Sequence, residues 1–449
     1  MIRRALAVWR EDELLRRIVA NTGYLFSSNT LSIVLSALQS ALAARLLGVA
    51  SWGTLGVVTG FVASVDRLFS FRMGELVVKY VGQYLTEGKK PHAAAIVKAA
   101  ALTEAASGLA AFAVVVLLAP FAAAYIAKDP ATRSLFLFYG LYLFGNAVVE
   151  TATALLQVGD HFRSQAGINL AQNVLTLGVT AYAFVTNGDL GLVLLAYLLG
   201  KLAFGLGLTG WAGWRARRLL GEDWWRAPLS LLPPAREFWR FALSSNFSGT
   251  VNLVTRDSEV LWVSYFLSPL EAGYYKTALS LINLILVPIN PFISTSFPEI
   301  TRAAAERAWG RLRTLLRRLT IISGAWTALV VVGLLFLGNV LIGLMYGNAF
   351  VPATSAALVL LIGFGVANIL YWNRPLLLSL DQPTYPLKVM AFAGIVKVAL
   401  SFVLVPRYGY LAEAALLSAF FVVSVGLIVW RGLGEIGRRE SADGLQLND

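Results

Sequence analysis

Between about residue 24 and residue 431 the sequence is one apolar stretch of helix length after another. A bilayer core about 30 Å thick needs about 20 such residues per crossing. In hydrocarbon every backbone polar group must be satisfied within the protein, so only helices and closed barrels can span it. Runs this continuous exclude the alternating pattern of barrel strands. Spans are expected at about 24–47, 52–85, 99–126, 134–158, 166–186 and 190–214, then at 241–267, 272–297, 319–346, 353–379, 384–405 and 409–431. The expected fold is therefore an all-α polytopic membrane protein of about 12 transmembrane helices in two six-helix lobes related by a pseudo-two-fold axis. Only 14% of residues are charged, against about 25% for a soluble domain.

The formal net charge of +12 raises nucleic acid as a partner, and the placement of the charge argues against it. Outside the spans, the loops on one side and both termini hold about 25 Lys and Arg, whereas the other side holds Arg45, Lys128, Arg133 and Arg407. That asymmetry is the positive-inside signature and places both termini in the cytoplasm of a multi-pass plasma (inner) membrane protein. There is no cysteine, and His92 and His161 both fall in loops. No metal cluster, Gly-rich phosphate loop or nucleophile elbow is present, so neither enzymatic catalysis nor a cofactor is expected.

Residues 1–23 lack the apolar core and cleavage site of a signal peptide. Ile2, Leu6, Trp9, Leu14 and Ile18 alternate with Arg3, Arg4, Arg10, Arg16 and Arg17, which suits either a basic amphipathic helix on the inner leaflet or a disordered basic tail. The expected domains are that tail, a lobe at 24–214, a cytoplasmic linker at 215–240, a second lobe at 241–431 and a polar tail at 432–449. The linker is marked by arginines, Trp224-Trp225 and Pro233-Pro234.

The halves repeat one another. Ser27-Ser28-Asn29 matches Ser244-Ser245-Asn246 at an offset of 217, and Leu155 to Asp160 matches Leu376 to Asp381 at an offset of 221. Each half starts on the same side, so the repeat is parallel, about an axis along the membrane normal.

The segment Asp257-x-x-Val260-Leu261 through Ala272-Gly273-Tyr274-Tyr275, with Pro288 and Phe297-Pro298-Glu299, resembles the polysaccharide transporter branch of the multidrug/oligosaccharidyl-lipid/polysaccharide flippase superfamily. Tyr346-Gly347-x-x-Phe350 and Val405-Pro406-x-Tyr408-Gly409 carry the same resemblance. It implies a V-shaped transporter whose central cavity opens alternately to each side, moving undecaprenyl-pyrophosphate-linked oligosaccharides to the outer leaflet. Relatives often place an acid and then a glycine two residues on in helix two. Here Ser70-Phe71-Arg72 aligns with that motif, so no role transfers to it.

Charges inside the spans are costly and mark candidate function. Arg72, Arg256, Arg374 and Lys397 are expected to line a cationic cavity for pyrophosphate and acidic sugars, because guanidinium groups bind phosphate oxygens bidentately. On an α-helix Ser245, Gly249, Asn252, Arg256 and Glu259 fall on one stripe, with Asp257 about 100° away. Asn252 joins the substrate-binding set, as does Gln39, the counterpart of Arg256 in the repeat. Packing seams are the simpler account of the serines and Gly249, and Glu259 offers Arg256 a neutralising partner. Proton or sodium coupling would fall to Glu150, Asp66, Glu75 or Glu259; Glu75 and Glu259 read more simply as partners of nearby arginines, and Glu150, with no basic neighbour on its helix, is the better candidate. Pro288 and Pro291 are candidate hinges in helix eight, static bending being the alternative.

Partners expected for such a chain are the lipid-linked oligosaccharide, membrane lipids, and a polymerase or glycosyltransferases of the same pathway. The nearest rival is an ion-coupled multidrug antiporter of the same superfamily, which would want carboxylates in place of deep arginines. A non-transporting membrane assembly subunit is the alternative of a different class.

Overall fold

The computed structural model describes residues 13–70, 73–233, 250, 253–286 and 290–446, and among these there is no strand. The first helix, α1 (Glu13–Phe69), is broken at Gly48, whose φ of 70° is non-helical. Then come α2 (Met73–Thr86), α3 (Lys90–Phe121), α4 (Arg133–Gly140), α5 (Tyr142–Asn146), α6 (Val149–Val158), α7 (Phe162–Val185) and α8 (Leu190–Leu220). A π-turn (Leu253–Asp257) leads to α9 (Glu259–Phe266), α10 (Pro269–Leu286), α11 (Asn290–Ala305), α12 (Trp309–Tyr346), α13 (Ala353–Ile369), α14 (Asn373–Ser379), α15 (Thr384–Tyr408) and α16 (Tyr410–Gln446).

Nine segments among the described residues are long and apolar enough to cross a membrane. The difference from twelve is accounted for. Gly48 divides Thr30–Phe69 into two spans, and the seventh and eighth spans, at 241–297, include residues outside the described set. Apolar side chains face outward as lipid requires, Phe336 being 80% exposed and Leu117 75%.

Three expected helices are interrupted. Helix two stops at Phe69 and resumes at Met73, while the expected span 134–158 is divided into α4, α5 and α6. The corresponding span of the second half, 353–379, divides into α13 and α14. Irregular backbone at membrane depth survives only where protein or a watery cavity satisfies it. The breaks are indeed answered. Glu104 of α3 accepts the N–H groups of Glu150 (2.7 Å) and Thr151 (3.0 Å) at the start of α6. In the second half Ser323 donates to the Ile369 carbonyl (2.9 Å), and the Asn373 amide donates to the Leu370 carbonyl (2.7 Å).

The repeat reappears in backbone geometry. Of the ten positive-φ residues among those described, all but Gly48 and Gly221 fall in pairs: Gly88 with Arg307, Lys128 with Gly347, Asp160 with Asp381, and Asn187 with Gly409. Their offsets are 219, 219, 221 and 222 residues. Positive φ is uncommon outside glycine, so four pairs at near-constant spacing identify the same loops in both halves.

Two compact units are present, divided near residue 250, with the segments 47–61 and 124–129 of the first half assigned to the second unit. The first comprises the described residues of Met1–Leu46, Val62–Ala123 and Pro130–Thr250; the second comprises those of Leu47–Phe61, Ala124–Asp129 and Val251–Asp449. In the first, Met73, Leu76 and Val77 of α2 pack with Ile96 of α3, Leu156 of α6 and Leu208 of α8. The linker starts against this core: Lys98 donates to the Ala227 carbonyl (3.1 Å), and Trp224 packs beside it.

In the second unit the 47–61 segment seats on α10. The Trp52 indole donates to Thr277 Oγ1 (3.2 Å), and the Lys276 ammonium lies 3.5 Å from the centre of the Trp52 ring. Beyond Arg431, α16 continues to Gln446 because its polar face is tied down. Arg307 and Trp309 hold Asp443, Arg313 holds Glu440, and Arg438 and Arg439 hold Glu435.

Close helix approach in membranes depends on small residues. A Cβ on Gly205 would meet the Gly145 carbonyl at 2.0 Å, whereas one on Gly213 of the same helix meets open space. Gly205→Ala should therefore destabilise the protein by about 1–3 kcal/mol, with Gly213→Ala near neutral. Thermal unfolding in detergent checks the pair.

Candidate functional site

Buried polar clusters occur in each unit. That of the second unit is built on α9, α10, α15 and α16. Its centre is Lys397, 3% exposed, whose ammonium bonds to Glu259 and lies 2.8 Å from Glu413 Oε1. Glu259 and Glu413 are 1% and 0% exposed. Each carboxylate also accepts a hydroxyl: Tyr275 donates to Glu259 Oε2 (2.7 Å) and Ser401 to Glu413 Oε2 (2.8 Å). Two carboxylates face one ammonium, so the cluster is neutral only with one proton bound. Its chemistry is that of a proton acceptor sealed among four helices.

This placement changes the reading of Lys397. A lysine without an acid on its own helix needs one elsewhere, and α9 and α16 supply two. Its side chain is buried among these partners. Glu259, in turn, is spent on Lys397 and not on Arg256. The physical reason is the π-turn at Leu253–Asp257, which advances the chain by more residues per turn and breaks the α-helical phase. Arg256 consequently emerges exposed, 5.8 Å from the rings of both Phe364 and Phe421, while Glu259 turns inward. The single polar stripe expected for these two residues is absent.

The first unit gathers carboxylates. Asp66 accepts hydrogen bonds from Tyr142 Oη (3.1 Å) and Asn146 Nδ2 (2.9 Å). Glu150 accepts one from Ser70 (2.8 Å), and Glu104 caps α6 as described. A small cavity of about 110 Å³ joins Asp66, Arg67, Ser70, Glu104, Asn146 and Glu150. A wider cleft of about 580 Å³ is lined by Glu75, Glu150, Thr153 and Gln157, with Val78 and Val149 on its apolar side. The charged residues lining both spaces are mainly acidic.

The remaining expected residues are dispersed. Gln39 is buried on α1 and bonded to Tyr197. Arg374 is exposed in the first turn of α14. Pro291 sits in the first turn of α11, where a missing N–H costs little. Arg72, Asn252 and Pro288 lie outside the described residues. Sequence reasoning did not single out Glu413 as Lys397's partner: it lies 16 positions along the chain on the next helix, and no helical spacing links the two.

Removing one partner from a buried charge cluster costs about 3–5 kcal/mol. Lys397→Met should lower stability by about that amount, and adding Glu259→Gln and Glu413→Gln should restore most of it. Thermal unfolding of the single and triple variants measures both steps.

Residues 42–355 match the model of a family described as "Polysaccharide biosynthesis protein". An Escherichia coli (strain K12) protein, "Inner membrane protein YghQ", is 24% identical over 351 residues, covering 77% of this chain and 97% of the relative. Among solved structures, the lipid II flippase MurJ in an inward closed conformation superposes with a TM-score of 0.72 at 13% identity, over 93% of this chain and 89% of its own. An inward-facing multidrug resistance MATE transporter of the MOP superfamily gives 0.65 at 13% identity, over 91% and 95%. A MOP superfamily transporter from Pyrococcus furiosus, titled for the reverse polarity of its binding pocket, gives 0.64 at 12%, over 93% and 95%. These likenesses establish the fold.

Proposed function

The chain belongs to the polysaccharide biosynthesis protein family, and on that premise we propose that it is a flippase for lipid-linked oligosaccharides. It takes undecaprenyl-pyrophosphate-linked units from the cytoplasmic leaflet to the outer leaflet by alternating access, for surface polysaccharide assembly. The observation that carries this reading is a family match spanning 42–355 on a chain with the fold of a lipid II flippase. The isoprenoid tail stays in the bilayer while the polar head crosses. Arg256 and Arg374 of the second unit are exposed cations suited to pyrophosphate.

Coupling falls to the Glu259–Lys397–Glu413 cluster, and the coupling ion is a proton. Lys397 already holds the position between the two carboxylates that a sodium ion would need. Protonation of a carboxyl loosens its hold on the ammonium, so the bond between α9, α15 and α16 responds to proton supply.

In vesicles carrying a lipid-linked oligosaccharide, Arg256→Ala should slow flipping at least about tenfold, since one hydrogen bond to a charged group contributes about 1.5–3 kcal/mol. Its unfolding temperature should stay unchanged. Wild-type flipping in both Arg256→Ala and Arg374→Ala would remove the cationic contact from the proposal. Glu413→Gln should abolish the response of flipping to an imposed pH gradient; a response retained in full would move coupling elsewhere. The acidic lining of the first-unit cleft favours a second reading, extrusion of organic cations. Proton-driven export of a cationic dye, with lipid-linked sugar left in place, would select it.

A further inference from the structure

Six arginines on the basic side of the second unit are tied to carboxylates, whereas the three at the end of α8 are not. In the second unit Arg302, Arg307, Arg311, Arg313, Arg438 and Arg439 all pair with carboxylates at 2.7–3.4 Å. At the end of α8, by contrast, Arg215, Arg217 and Arg218 make no ion pair among the described residues. Tryptophans take the place of acids. Trp211 and Trp214 stand one turn apart with ring centres 5.0 Å from each other. The Arg215 guanidinium lies 4.7 Å from the Trp214 ring and 5.3 Å from Trp211, and that of Arg218 lies 4.1 Å from Trp214. Sequence spacing makes this possible: positions 211, 214, 215 and 218 follow i, i+3, i+4, i+7 and share one helix face.

Stacking fixes the orientation of the guanidinium groups without cancelling their charge. Arg215 Nε is enclosed and unpartnered. The surplus charge is felt nearby: burial, and then Arg215, hold the His161 imidazole below its ordinary range. Trp211 and Trp214 remain 37% and 40% exposed at the end of a spanning helix, the level at which tryptophan anchors to the membrane interface. An exposed indole pair carrying two oriented, uncompensated guanidinium groups at headgroup level calls for an anion that is itself part of the bilayer.

We infer that the Trp211–Trp214–Arg215–Arg218 face is a binding site for the phosphate of an anionic phospholipid on the basic side of the membrane. Arg215 and Arg218 contact the phosphate, the indoles seat the glycerol and upper acyl region, and the two aromatic contacts limit the entropy lost on binding. The site is independent of the carboxylate clusters and of the transported cargo.

The test is a lipid titration of the full chain in detergent, read by native mass spectrometry, with phosphatidylglycerol and phosphatidylcholine as probes. Each interfacial arginine contributes about fivefold in affinity. The expected result is that the first phosphatidylglycerol binds Arg218→Gln about fivefold more weakly than the wild type. The Arg215→Gln/Arg218→Gln variant should bind it about twenty-fivefold more weakly, with phosphatidylcholine unaffected. Arg218 is exposed in the last helical turn, so its variant folds even where the double variant does not. Equal affinity for the two lipids, or a phosphatidylglycerol affinity unchanged in Arg218→Gln, overturns the site. Displacement of phosphatidylglycerol by equimolar undecaprenyl phosphate also overturns it, assigning the face to the isoprenoid cargo.

Discussion

Lys397 shows what a bilayer demands of a charged side chain and how a chain can meet the demand. Water is absent at that depth, so the ammonium must be answered by protein groups, and the desolvation cost is recovered only if the geometry is close and every lone pair is engaged. Glu259 and Glu413 supply the charge, and Tyr275 and Ser401 each donate a hydrogen bond to one of these carboxylates. These contacts fasten α9 and α10 to α15 and α16, so the interior of the second unit depends on one cation. They also set two carboxylates against one ammonium in a space closed to water.

Much of this architecture was legible in the sequence. The helical spans, the one-sided excess of basic loop residues and the repeat follow from hydropathy and spacing, and the left-handed pairs Asp160/Asp381 and Asn187/Gly409 fall where the repeat puts them. The charged cluster was only half legible. Lys397 announced a need for a partner, but Glu259 stands 138 positions away on a helix whose phase a π-turn had shifted. Periodicity assumes an unbroken helix. At Leu253–Asp257 that assumption fails, so Arg256 and Glu259, read as one stripe, point to different surroundings. The first-unit cleft was missed for a similar reason. Its lining comes from α2 and α6, and the boundaries of both helices lie at breaks that hydropathy passes over.

The basic residues divide into two chemistries that composition merges into a single figure of +12. Around α11, α12 and the end of α16, Arg302, Arg307, Arg311, Arg313, Arg438 and Arg439 serve as internal ties, each held by a carboxylate. At the end of α8 they are propped on indoles and keep their charge for something outside the protein. Topology signals and binding groups are thus made of the same residue type and differ only in what stands beside them.

The interrupted fourth helix of each half has a longer consequence. Duplication supplies two copies of one backbone irregularity, and each copy needs its loose peptide groups satisfied. One half answers the amide side with the Glu104 carboxylate; the other answers the carbonyl side with the neutral groups of Ser323 and Asn373. The same break is thus anionic in one half and neutral in the other. A fused gene can differentiate its halves in this way while keeping one shared scaffold.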